Sequence, residues 1–221
     1  MKKLLPILLS LFLPLFARSA SAAAFSPLQI GVGWPRSDLQ LVSSNTPVIG
    51  LRLNLIGSYN ETAAGLDLGL FSASDTFSGI RLNAVAQSDT VNGISLGLFD
   101  GADTLNGLQI APIAIALDAC GLQIGLFNWS YDLHGVQIGL VNNGLYLGSH
   151  SHVHGMQISF LNATGTLQGS QLGICNTTRE LHGVQIGIFN FADTSHGLQI
   201  GLVNIVSSSD FPCLPLLRAS F

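Results

Sequence analysis

Lysine is nearly absent from this sequence. Lys2 and Lys3 are the only two, and charged residues make up 9% of the 221-residue chain. Removing Lys2, Lys3 and Arg18 with an N-terminal leader leaves five basic residues against twelve acidic ones, a net charge of −7. A nucleic-acid partner needs a basic footprint to neutralise phosphates, and there is none. Cysteine is scarce too. Cys120, Cys175 and Cys213 are odd in number and form no CxxC pair. A disulfide framework is thereby excluded, and buried free thiols are expected. No apolar run is long enough to span a bilayer as a helix. No Ser-His-Asp set, phosphate loop or nucleotide fingerprint is present. Carbohydrate-active β-helices need clustered carboxylates or a basic residue in a cleft, so no catalysis is expected here.

The first feature that is present is a leader. Lys2 and Lys3 precede the apolar run Leu4–Phe16, which Pro6 and Pro14 interrupt. Small residues at Ala20–Ala24 follow, as in a secretory signal peptide over residues 1–24. No cysteine lies near the cleavage site, so no lipoprotein anchor is expected. The expected location is outside the cytoplasm of a bacterium, at the cell surface or outer membrane.

The dominant feature is a fixed period. Glycines fall at 50, 65, 79, 93, 107, 121 and 135, then at 155, 169, 183 and 197. The first step is fifteen residues, the step across 135–155 is twenty, and the others are fourteen. With the glycine as position one, positions two, four and six are mostly aliphatic. Position three is Gln in seven successive units, from Gln109 to Gln199. Position eight is Asn in six, from Asn128 to Asn204. Alternation at positions two, four and six is strand periodicity with one buried face, and the aliphatic side is the expected core. Asp and Thr after the Asn supply turn chemistry. One unit cannot bury enough surface to stand alone, so neighbours must stack.

Two stackings fit. In a parallel solenoid each unit is one coil, and Gln or Asn amides form ladders up the stack. In an antiparallel barrel odd and even turns lie at opposite ends, and the natural repeat is a hairpin of two units. Every unit carries the same motif, which favours a parallel β-solenoid or β-roll of about eleven coils, roughly 50 Å long. An outer-membrane β-barrel acting as a channel is the alternative. Residues 25–49 are expected to form an N-terminal cap, 50–204 the β-repeat array, and 205–221 an apolar C-terminal cap over the last open edge.

The phrases GLQIGLFN (Gly121–Asn128), GVQIGLVN (Gly135–Asn142) and GLQIGLVN (Gly197–Asn204) resemble the exported "surface repeat" proteins of bacteria such as spirochaetes. The resemblance covers most of the chain from Gly50 and is specific over Gly107–Asn204. It implies an exported, surface-associated structural or interaction protein, with an unidentified protein or glycan partner and no catalytic residues to carry over. The fourteen-residue period is also similar to that of the left-handed β-roll heads of trimeric autotransporter adhesins, as a matter of geometry.

The departures from the repeat are the candidate sites. Histidines at 134, 154, 182 and 196 occupy the last position of a unit, so His134 and His154, and His182 and His196, are expected to stack. The insertion adds His150 and His152. Alternate histidines can hold zinc or copper, and His150, His152 and His154 are the candidate metal site. Asp75, Asp89 and Asp103 share position eleven, where turn chemistry explains them and Ca²⁺ is the competing reading. Arg52, Asp67 and Arg81 occupy position three of the early units, and a solvated charge ladder is expected there. Ala111-Pro112 predicts a bulge or kink.

Overall fold

The computed structural model describes residues 25–33, 39–143 and 151–220; the leader (1–24), His150 and Phe221 lie outside the described residues. The described residues form strands and turns, with no helix. In chain order the strands are β1 (Ser26–Gly31), β2 (Val48–Leu96), β3 (Phe99–Ile110), β4 (Ile113–Ile124), β5 (Phe127–Ile138), β6 (Val141–Asn142), β7 (His152–Ile186), β8 (Phe189–Val206) and β9 (Cys213–Ser220). Each pairs with the next in a single sheet that winds around one axis.

The pairing is parallel and keeps the repeat register. Gly93 lies beside Gly107, Gly107 beside Gly121, and Gly121 beside Gly135. Across the insertion Gly135 pairs with Gly155, so the register resumes unchanged. The chain is a parallel β-solenoid, and the antiparallel barrel is ruled out. It makes about eight turns rather than eleven.

The array is closed at both ends by chain reversal. Near the start, Gly31 bridges Gln40 in antiparallel fashion, with Val32 N–H donating to the Leu39 carbonyl. At the far end β9 runs antiparallel to β8, from Gly197↔Ser220 to Ile205↔Cys213. These strands cover edges that would otherwise template further pairing.

The interior is not where the aliphatic alternation places it. Gln109, Gln123, Gln137, Gln157, Gln171, Gln185 and Gln199 are all fully buried. The aliphatic residues at positions four and six face outward; Ile186 is 41% exposed and Leu202 62%. The lumen is filled from positions three, eight, ten and thirteen. Position ten is small, as in Ala102, Ala116 and Ser130, and position thirteen is mostly aliphatic, as in Leu105, Leu133, Leu167 and Leu181. Positions thirteen, one and three have the same parity along the strand. An inward Leu133 therefore puts Gln137 inward and Val136 and Ile138 outward.

Burying so many amides is tolerated because each side chain makes at least one hydrogen bond, with only the ladder-end oxygens Asn128 Oδ1 and Gln199 Oε1 accepting none. Gln123 Nε2 donates to Gln109 Oε1 at 2.8 Å, and Gln137 Nε2 to Gln123 Oε1 at 2.7 Å. The links continue through Gln157, Gln171, Gln185 and Gln199 at 2.8–2.9 Å. The asparagine ladder runs the other way: Asn128 Nδ2 donates to Asn142 Oδ1, and the chain of donors proceeds to Asn204. The two ladders have opposed dipoles. The asparagines also donate to the main chain, as Asn176 does to the Ile186 carbonyl at 2.9 Å.

The repeat glycine is required by close approach. A Cβ on Gly135 would lie 2.0 Å from the carbonyl oxygen of Gly121, and its φ is +148°. Stacked strands approach there to a distance that only a hydrogen on Cα permits.

Candidate functional site

The sequence-derived candidates divide between the lumen and two outer faces. Arg52, Asp67 and Arg81 are in the lumen, which corrects the expected solvated ladder. Arg52 is 2% exposed, Asp67 1% and Arg81 0%. Position three is inward in every unit, so charge there must pair. Arg52 Nη2 meets Asp67 Oδ2 at 2.5 Å, and Arg52 Nη1 donates to the Ala73 carbonyl. Asp67 also accepts from Asn54 Nδ2 and Ser72 Oγ at 2.6 Å. Arg81 Nη2 donates to Asp100 Oδ1 at 2.6 Å, and its Nη1 to Ser88 Oγ at 2.7 Å. Asp100 occupies the position that Asn holds in later units. Burial raises its carboxyl above the usual carboxylate range, against the opposing pull of Arg81 and of the hydrogen bond from Gln109. These are two buried ion pairs.

One outer face is polar. It is built from positions eleven, twelve and fourteen, and holds Asp75, Asp89, Asp103, Asp118, Asp132, Glu180 and Asp193 against Arg179. Asp89 and Asp103 are exposed, and Asp75 accepts a 2.6 Å hydrogen bond from the Tyr59 hydroxyl. The histidine stacking expected from the register is present. His134 and His154 are paired across strands with rings 4.8 Å apart, and His182 and His196 with rings 5.3 Å apart. His152 and His154 alternate on β7, so both are exposed on the same side. Cys120 precedes His134 in the same column. Among the described residues no three His, Cys, Asp or Glu side chains converge as a metal-binding group. The structure thus places His152 and His154 on one surface; His150, the third residue of the candidate site, lies outside the described residues.

The three cysteines are free, but Cys120 and Cys213 are exposed rather than buried. Cys120 has the outward parity of position fourteen, and Cys213 lies on β9 at the outer edge.

Pro112 makes no special kink. The strands break at Gly97-Leu98 and Gly125-Leu126, the same corner that Ala111-Pro112 occupies. At this corner the position-six N–H donates to position six of the previous unit, as Leu126 does to the Pro112 carbonyl. Proline lacks that donor, so only the position-seven bond remains there: Ile113 N–H donates to the Leu98 carbonyl at 3.3 Å, as Phe127 N–H does to the Pro112 carbonyl at 2.9 Å.

The other outer face is the one the sequence reading misplaced. Positions two, four, six and seven point outward, and across the array none of them is charged. Position four forms one aliphatic ridge, including Ile138, Leu172, Ile186 and Ile200. Position six forms a second, including Phe160, Ile174, Ile188 and Leu202. Between them run Gly139, Ser159, Gly173, Gly187 and Gly201, whose small side chains leave a groove of about 760 Å³ closed at one end by Leu216. Phe160 is 55% exposed, and Ile174 and Ile188 are each 41% exposed. The signal for this face was present: position thirteen is mostly aliphatic, as in Leu105, Leu133, Leu167 and Leu181, and shares the parity of the glutamines that follow it. No protein-family model matches the chain, and neither a curated protein nor a solved structure matches it.

Proposed function

We propose that the chain is an exported, surface-associated structural or interaction protein of the bacterial cell envelope, working through its outer faces and without catalysis. The observation that carries this reading is the uncharged aliphatic face running along the solenoid. Contiguous apolar surface of this extent marks an interaction site in a folded protein. A rigid ladder of equal steps is suited to presenting such a surface over a long distance. The channel reading required the barrel and falls with it. The polarity of the opposite face supports the same role: one side is acidic and hydrated, the other is free to be covered.

The reading is tested by expressing the full chain with a C-terminal tag in a Gram-negative host. Processing of the leader, recovery in the envelope fraction and protease accessibility on intact cells are expected. Retention of the full-length chain in the cytoplasm would overturn it.

A further inference from the structure

We infer that the apolar face is an interface between two copies of this chain, packed face to face with each ridge seated in the other's groove. The inference rests on the interaction role proposed above and names its partner.

Three observations select a second copy. The first is size. About eight turns at roughly 4.8 Å per turn make a strip about 38 Å long, and six residues at about 3.3 Å make it about 20 Å wide. That is roughly 750 Å², close to the ~800 Å² each partner contributes to a stable interface. The second is charge. The strip holds no charged side chain at positions two, four, six and seven, and the acidic residues of the array that lie outside the lumen are on the polar face. Two copies can therefore meet along it without bringing like charges together, whereas a basic partner or an anionic surface would find nothing to pair with. The third is periodicity. Ridge and groove both repeat once per turn, and the glycine floor of Gly173, Gly187 and Gly201 lies beside the ridge of Ile174, Ile188 and Leu202. A second copy has the same step from Ile138 to Leu202, so within that stretch each turn of one ridge meets a turn of the other groove. A two-fold axis makes the two contacts equivalent, as in an isologous dimer.

The test is sedimentation equilibrium and native mass spectrometry of the secreted full chain from about 1 to 100 μM, with no detergent. A dimer is expected. Ile174→Lys/Ile188→Lys is expected to shift it to monomer at the same concentrations, with unchanged circular dichroism and the unfolding midpoint that wild type has when diluted to monomer. Leu202→Lys gives the same readout from a single site, should the double variant fold poorly. Glu180→Lys, on the polar face, is expected to leave the dimer intact. A monomeric wild type, a dimer that survives the lysine substitutions, or a groove carrying a co-purifying lipid that keeps the chain monomeric would each overturn the inference. A monomer that is still exposed on intact cells would remove the dimer and leave the envelope role standing; a chain retained in the cytoplasm would remove that role while the dimer was judged separately.

Discussion

Arg218 in β9 lies directly across from Gln199, the last glutamine of the ladder. It is 5% exposed, and its Nη1 donates to the carbonyls of Phe211 and Pro212 at 2.9 and 3.0 Å. Every amide in this ladder points its N–H toward the N-terminal end, where Gln109 Nε2 donates to Asp100 Oδ1 at 2.9 Å. Every amide oxygen points toward Arg218. The anion at the donor end and the cation at the acceptor end match the sense of the ladder's dipole.

Arg218→Met is expected to loosen the cap. Each hydrogen bond from a charged donor is worth about 1.5–3 kcal/mol, and this substitution removes two. A lower unfolding midpoint and faster amide exchange, first in Cys213–Ser220, are the expected results. Arg218→Lys should recover part of the loss. Unchanged exchange in β9 would show that Arg218 does not hold it.

The inverted faces give a direct contrast. Gln157→Met leaves Gln137 Oε1 and Gln171 Nε2 without their partners, at a cost of about 1–3 kcal/mol for each buried group. Ile186→Gln, on the outer ridge, should change stability by about 0.5 kcal/mol or less. Urea unfolding at low protein concentration measures both. If the aliphatics were the core, the order would be reversed.

Glycines can be separated in the same way. Gly135→Ala puts a Cβ against the Gly121 carbonyl at a φ of +148°, and a loss of solubility or of several degrees in unfolding midpoint is expected. Gly101→Ala meets nothing nearer than 3.8 Å and should be tolerated. Equal thermal scans for the two variants would remove close approach as the reason for the repeat glycine.

Asp100 predicts a pH dependence. Its carboxyl is raised on folding, so the folded chain holds its proton at a higher pH than the unfolded chain does. Between the two pKa values the native state binds more protons, and stability falls as pH rises. The contribution is fully present below the unfolded pKa, near 3.9, and is lost as pH rises through the folded value. Wild type should therefore gain stability relative to Asp100→Asn as the solution is acidified. Unfolding midpoints of both proteins in a pH series check this; a difference that shrank on acidification would contradict it.

Much of this was legible in the sequence. The glycine period fixes the parallel stack, because only equal surroundings explain equal motifs in odd and even units. It also fixes the pairing of His134 with His154 and the amide ladders. Which face turns inward was not settled by alternation, since outward aliphatics with inward amides have the same period of two. The usual preference for buried aliphatics chose the wrong side. The deciding link is the strand running through Gly135, which ties Leu133 and Gln137 to one parity. The same geometry decides the charged residues: Arg52 and Arg81 read as solvated polar positions until position three is known to face the lumen. The sequence determined the repeat, the register and the ladders. The tertiary structure decided what lies inside. A fourteen-residue turn encloses a narrow lumen in which stacked amides satisfy one another at every step, so polar side chains fill it and the aliphatic ridges are left outside for a partner.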